Sequence, residues 1–232
     1  MRRLSLYVLC LVLLAGCQTG NVTTFWNGHS ISVDNMDAAE KQFGAFAELA
    51  ASAPEKDALA AMDALFDKLK EEPVAYYIYA EWMDGAFYDI LSPCRSDVLY
   101  SKVVERLVAD GIFSESEYAP FLQRLDWMQY NRKGAKALVP GRSHIDTRTL
   151  VLVVNLSCPA CREALETLQS APAWSDARKI AVGLGNGPQP TVPGWEYLFP
   201  ENGTSLFDIH MSPVYYVVAA DGTVEQSYTA AL

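Results

Sequence analysis

Two cysteines, in Ser157-Cys158-Pro159-Ala160-Cys161, are the residues of this chain best suited to chemistry. They stand where an apolar run, Thr149-Leu150-Val151-Leu152-Val153-Val154-Asn155, gives way to a segment of helical spacing. Side chains three apart on a helix share a face, with Cβ atoms about 5–6 Å apart, so modest adjustment brings two sulfurs within disulfide reach. At a helix N-terminus, unpaired N–H groups and the positive dipole end favour a thiolate, here at Cys158. A thiolate attacks disulfides and a thiol does not. Pro159 suits the first helical turn, where its missing N–H has no partner to lose. Cys161, deeper in the helix, is expected to hold its proton more tightly and to resolve a mixed disulfide. Cys158 and Cys161 are therefore the expected catalytic pair.

Other uses of the pair stay open in the sequence. A structural zinc needs two more ligands, and no second CxxC exists. A permanent disulfide closes too short a loop to stabilise much. A pair retained with no partner is the third. The histidines are His29, His144 and His210. His210 lies three residues before Pro213 and could approach the sulfurs, and thiolate with imidazole suits copper. A partly exposed loop histidine is the plainer reading, and no metal ligand set is assigned. Cys94, beside Pro93, reads as a buried lone thiol at a helix start, with intermolecular pairing as a lesser possibility.

The elements that must position this pair follow from periodicity. The run 149–155 is β-branched without polar alternation, as in a strand buried on both faces. A helix is expected over 159–170 and a second apolar strand over 179–184. A Gly/Pro-rich loop and a short helical stretch near Trp195 lead to a third strand at 214–218. Asp221-Gly222 reads as a hairpin turn into 223–228. Met211-Ser212-Pro213 stands directly before the third strand, where proline is tolerated and its peptide bond can be cis. The order is β-α-β and then β-β, an α/β layer with a mixed sheet.

Residues 35–132 have helical spacing instead. Pro54-Glu55 opens one helix, with Leu59, Met62, Leu65, Phe66 and Leu69 on one face. Pro73 suits a first helical position and precedes the aromatic run Tyr76, Tyr77, Tyr79, Trp82, Phe87 and Tyr88. Pro93 is expected to start a helix that stops near Asp110-Gly111, and Ser114 to Glu117 to cap the last. The aromatic stripe reads as the core of a small bundle, with a peptide-binding groove as the alternative.

On these residues the C-terminal part, about 138–232, resembles the thioredoxin-like superfamily. The CxxC after a first core strand looks like its catalytic pair, and Pro213, some fifty residues later at the start of a hairpin strand, like its cis-proline. The resemblance implies that Pro213 packs against the CxxC and that Ser212 offers backbone hydrogen bonds to a bound substrate. Val214 to Thr223 is similar to the membrane-anchored TlpA/ResA-like periplasmic thiol-disulfide oxidoreductases. Ser92-Pro93-Cys94-Arg95, Tyr100 and Asn131-Arg132-Lys133-Gly134 resemble a helical domain of unknown function that precedes TlpA-like domains in some bacterial lipoproteins. Sco-type copper proteins, similar in fold, space their cysteines more widely. The chain departs from the resemblance in three places. Ser157 replaces the usual aromatic. No acidic residue clearly matches the one that helps proton transfer, Glu163 and Glu166 being on the CxxC helix without a need to face it. The sequence ends at Leu232, where the fold normally adds a helix, so the helical domain is expected to pack on the sheet face left open.

Met1-Arg2-Arg3, the apolar run 4–14 and Leu14-Ala15-Gly16-Cys17 read as a processing signal, too short to span a bilayer comfortably. It resembles a bacterial lipoprotein signal, which implies cleavage before Cys17, a diacylglycerol on its sulfur, and firm anchoring by paired acyl chains. Gln18 in place of Asp implies the outer membrane. With no acidic cluster following, a periplasm-facing protein is expected.

The 232 residues are 50% hydrophobic and 20% charged, an ordinary globular balance that excludes collagen-like and wholly disordered classes. The net charge of −10 comes with no basic tract to follow a phosphate backbone, so no nucleic acid is expected as a partner. An acidic body has no electrostatic pull toward anionic lipid, which leaves the membrane contact to the lipid on Cys17.

The expected fold class is α+β in two domains: an N-terminal helical bundle followed by a thioredoxin-like α/β domain with a mixed sheet and no C-terminal helix. The divisions are a lipoprotein signal peptide at 1–16, a lipidated tether at 17–33 with little structure, a helical domain at 34–135 and the thioredoxin-like domain at 138–232. The expected function is that of a membrane-anchored periplasmic thiol-disulfide oxidoreductase. It would act on proteins with cysteines through Cys158 and Cys161, with Ser212 and Pro213 binding substrate, no cofactor, and an electron donor left open. A non-catalytic binding lipoprotein using the helical domain, and a copper-binding thioredoxin-like protein, are the alternatives.

Overall fold

The computed structural model describes residues 21–227. The signal segment at 1–16, Cys17 and the last position of the strand expected over 223–228 lie outside the described residues. Helices α1 (Met36–Ser52), α2 (Glu55–Leu69), α3 (Pro73–Phe87), α4 (Asp97–Asp110) and α5 (Glu115–Gln129) come first. They are followed by β1 (Thr149–Asn155), α6 (Pro159–Ser170), β2 (Arg178–Leu184), β3 (Glu196–Leu198), the short α7 (Gly203–Leu206), β4 (Val214–Val218) and β5 (Val224–Ser227). Among the described residues no helix is long and apolar enough to cross a membrane.

The helix boundaries follow local chemistry. Pro73 occupies the first turn of α3. Ser114 caps α5 with the backbone N–H of Ser114 donating to Glu117 Oε2 at 2.7 Å, a reciprocal box. Gly111 ends α4 at φ 68°, a left-handed cap open to glycine. The helix expected from Pro93 begins at Asp97 instead, because the Ser96 side chain caps it by accepting from Leu99 N at 3.3 Å. Pro93 and Cys94 lie in the preceding turn, with Cys94 buried.

The bundle core is aromatic: Phe46, Phe66, Tyr76, Tyr79 and Tyr100 are fully buried. Trp26 joins them, packing on Phe46 with ring centroids 5.1 Å apart. It belongs to a 3₁₀ turn over Val22–Asn27, so the stretch expected to be a tether with little structure is part of the core from residue 22. Two apolar residues four apart, Val22 and Trp26, share the inward face of that turn. On the bundle's flank Arg106 reaches Asp63 at 2.9 Å, Asp67 at 2.7 Å and Asp110 at 3.2 Å, so one guanidinium fork joins α2 to α4.

The sheet has the order β3-β2-β1-β4-β5, parallel across β3, β2 and β1 and antiparallel across β4 and β5. β1 is central and buried on both faces. Leu150, Leu152 and Val154 pack toward α6 with Leu165, Leu168 and Trp174, while Val151 and Val153 pack on the other face. Glu196–Leu198, in the stretch expected to be helical, forms the edge strand β3, its residues pairing with Ile180, Ala181 and Val182. Alternation explains it: Trp195 and Tyr197 go to the α6 side and Leu198 to the other.

Among the described residues no helix follows β5. The sheet face opposite α6 is covered by the connector, through Val139 and Ile145, and by Leu206, Phe207 and Ile209. The helical bundle supports that layer and reaches the sheet core through Ile90, so its packing on the open face is largely indirect. The connector is pinned rather than free. Gly134 N donates to Val224 O at 2.8 Å, covering the exposed edge of β5, and the buried Asn131 bonds both the N–H and the carbonyl of Leu138.

Candidate functional site

The pair of cysteines is delivered by a turn that Asn155 organises. At the end of β1 the Asn155 side chain accepts from Ser157 N at 3.0 Å and from Ser157 Oγ at 2.8 Å, while its carbonyl accepts from Cys158 N at 3.0 Å. This asparagine turn swings the chain off the strand and into α6. Cys158 is the N-cap of α6, with extended φ and ψ, and Pro159 is its first helical residue. Cys158 is half-buried and Cys161 buried, and both thiols are free.

The Cys161 thiol is pushed up to about 12, first by burial and then by a side-chain hydrogen bond and charge interaction with Cys158, against a backbone hydrogen bond at Asn155 that lowers it. Tyr215 on β4 stands near enough to feel a Cys161 charge, and burial, the larger effect, raises its phenol as well.

The Ser212–Pro213 peptide is cis. Its place follows from strand register: Val214 pairs with Val153, so the next step along the antiparallel pair sets Pro213 beside Val154. The Ser212–Pro213 peptide thus lies toward the end of β1 from which the chain turns to Cys158, though neither Ser212 nor Pro213 lines the cavity over the cysteines. The Ser212 hydroxyl is buried and has no hydrogen-bond partner among the described residues.

A cavity of about 540 Å³ opens over the cysteines. Its walls are largely apolar: Val154, Leu156 and Leu165 with Pro188 and Pro190, and Arg162 stands on its lining. The proline wall is part of the Gly/Pro-rich loop after β2. Gly187 permits it, since a Cβ there would lie 2.6 Å from the Leu156 carbonyl oxygen. Residues 188–193, Pro-Gln-Pro-Thr-Val-Pro, have a stiff composition visible in the sequence, but their approach to the cysteines is not visible there. Asn155, Arg162 and Tyr215 were likewise missed as part of the site.

The other candidates fall elsewhere. His210 lines a second cleft with Tyr88 and Arg124, and His29 and His144 are exposed, so no histidine lines the cysteine cavity. Among the described residues no three His, Cys, Asp or Glu side chains are grouped to hold a metal ion. Glu163 and Glu166 are exposed on α6 and outside the cysteine cavity.

No family model matches the chain, and no curated protein matches it. Among solved structures, the crystal structure of a thioredoxin-like protein from Bacteroides caccae superposes with a TM-score of 0.71 at 20% identity. The fold is thioredoxin-like. The match covers 90% of this chain and 87% of the other, so it takes in helices of the bundle as well as the sheet. Within that thioredoxin-like fold the CxxC pair stands at the junction of a central strand with a helix.

Proposed function

We propose that this chain is a thiol-disulfide oxidoreductase of the cell envelope, acting on proteins through Cys158 and Cys161. One observation carries the reading: a half-exposed cysteine caps a helix, its buried partner lies one turn deeper, and a cis-proline peptide closes the same end of the strand. Exposure suits Cys158 to attack, and burial keeps Cys161 protonated until it is needed.

In the reducing direction the Cys158 sulfur attacks one sulfur of a substrate disulfide. A Cys158–substrate disulfide forms, the substrate S–S bond breaks, and the departing thiolate takes a proton. Cys161 then gives up its proton and attacks Cys158, forming the Cys158–Cys161 disulfide and releasing the second substrate thiol. Two electrons and two protons pass to the substrate, and a dithiol donor resets the pair. Run backwards, the same steps oxidise a dithiol. The walls formed by Leu156, Pro188 and Pro190 suit an apolar residue flanking the substrate cysteine, and the resemblance makes Ser212, before the cis peptide, the backbone contact for the substrate strand.

The leader ending in Leu14-Ala15-Gly16-Cys17 supports lipidation of Cys17 and anchoring in the outer membrane, facing the periplasm, a branch resembling the TlpA/ResA-like proteins. Labelled fatty acid should enter the wild-type chain and not a Cys17→Ala variant.

The test of activity is reduction of insulin disulfides with dithiothreitol as electron source. Activity that Cys158→Ser abolishes supports the reading. A wild-type chain with none to lose rejects the oxidoreductase reading and supports the binding-lipoprotein alternative.

A further inference from the structure

The segment that leads into the Ser212–Pro213 peptide is held by the helical bundle at successive points. Trp127 Nε1 on α5 donates to the Thr204 carbonyl at 3.2 Å. The Tyr88 hydroxyl, at the end of α3, donates to Asp208 Oδ2 at 2.8 Å. Met211 packs against the bundle core and the sheet core together.

The middle tie differs from the others because its carboxylate is shared. Asp208 Oδ1 accepts from the backbone N–H of His210 at 2.8 Å and so caps the 3₁₀ turn Ile209–Met211, which ends at Ser212. Both partners are buried, Asp208 at 9% exposure and Tyr88 at 4%. Tyr88 is fixed in turn by its own bundle. Its ring lies 5.2 Å from that of Tyr100, with the Arg95 and Arg124 guanidinium carbons 5.5 and 5.8 Å from its centroid. Arg124 is itself held by Asp84 at 3.2 Å. A single carboxylate therefore joins a rigid side chain of the bundle to the turn that sets where Ser212 stands.

We propose that the helical bundle positions the Ser212–Pro213 peptide through Tyr88 and Asp208, and so sets the affinity of the site for a protein thiol partner. The inference rests on the oxidoreductase reading for its consequence, though not for the coupling itself. Tyr88 and Asp208 are positioning residues, acting through the turn they hold. On the oxidoreductase reading a protein substrate lays its backbone along Ser212, whereas a small disulfide needs only the Cys158 sulfur, so the two substrates should respond differently.

The experiment compares the full chain with Tyr88→Phe, which keeps the ring packing and removes the one hydroxyl, and with Asp208→Ala. Amide hydrogen exchange over residues 209–212 is measured beside insulin reduction and reaction with 5,5′-dithiobis(2-nitrobenzoate). Tyr88→Phe is expected to speed exchange over 209–212 while β1 keeps its wild-type protection. Its KM for insulin should rise about fivefold with kcat changed by less than about twofold, the effect of one lost buried hydrogen bond. The rate with the small disulfide should be unchanged, and Asp208→Ala should enlarge both effects. Unchanged exchange over 209–212 overturns the proposal whatever the activity shows. Faster exchange with an unchanged KM for insulin overturns it too. A wild-type chain inert toward both disulfides rejects the oxidoreductase reading instead, and exchange alone then decides whether the bundle holds the turn.

Discussion

Cys161 lies buried on α6 one turn beyond the half-exposed Cys158, near enough for a charge on Cys158 to raise its thiol further after burial has done so. The two thiols thus have the same chemistry and unlike surroundings. That difference assigns them an order of reaction.

Alkylation should follow that order. Under native conditions near neutral pH, iodoacetamide should label Cys158 before Cys161, and Cys94, also buried and raised by burial, should lag with Cys161. In denaturant the three should react alike. Mass spectrometry of timed samples reads the order, and Cys161 labelled first would contradict the assignment.

Stability should fall in alkali through the same thiol. Cys161 has an ordinary value of 9.0 and is pushed up to about 12 when folded, so the folded chain keeps its proton where the unfolded chain loses it. Its contribution is intact below about pH 9 and is lost as pH rises toward about 12, at up to about 1.4 kcal/mol per pH unit. The burial-raised phenols of Tyr76 and Tyr100 act in the same direction. Urea unfolding of wild type and Cys161→Ala across that window isolates the thiol: the wild type should show the steeper loss.

Gly187 should be a sensitive position for the cavity wall. A Cβ there meets the backbone carbonyl oxygen of Leu156 at 2.6 Å, an atom that cannot swing aside as a side chain would, so Gly187→Ala forces the loop away from the cysteines. A cost of about 1–3 kcal/mol is expected, with a changed rate of insulin reduction. At exposed Gly28 nothing lies within 4 Å of such a Cβ, and Gly28→Ala should leave both unchanged.

Trp26 tests where the folded part begins. Trp26→Ala removes a fully buried ring from among Phe46 and Tyr79 and should cost about 3–5 kcal/mol. Thermal unfolding as little changed as by a surface substitution would mean that residues 22–27 are not part of the core.

Much of this molecule is written locally. β1 over 149–155, α6 over 159–170 and β4 over 214–218 have the bounds that their spacing predicts, since a buried strand and an amphipathic helix differ in period within a few residues. Caps at Ser114 and Gly111 are equally local, a side chain or a left-handed backbone meeting the last unpaired groups of one turn. The CxxC at the mouth of α6 is of this kind. Sequence and structure part where local signals compete. Pro93 suggested a helix that Ser96 starts, and the cluster around Trp195 hid a three-residue edge strand because apolar residues fall on both of its sides.

The amino-acid order by itself determined the periods, the caps and a pair of cysteines set at a strand-to-helix turn, because each depends on hydrogen bonds or spacings closed within one or two turns. Tertiary structure alone decided that Trp26 enters the core, that Pro188 and Pro190 wall the cysteine cavity, and that Tyr88 meets Asp208 across 120 residues of chain. Such contacts depend on how whole surfaces fit once buried, and no local pattern of side chains records which distant surface will arrive.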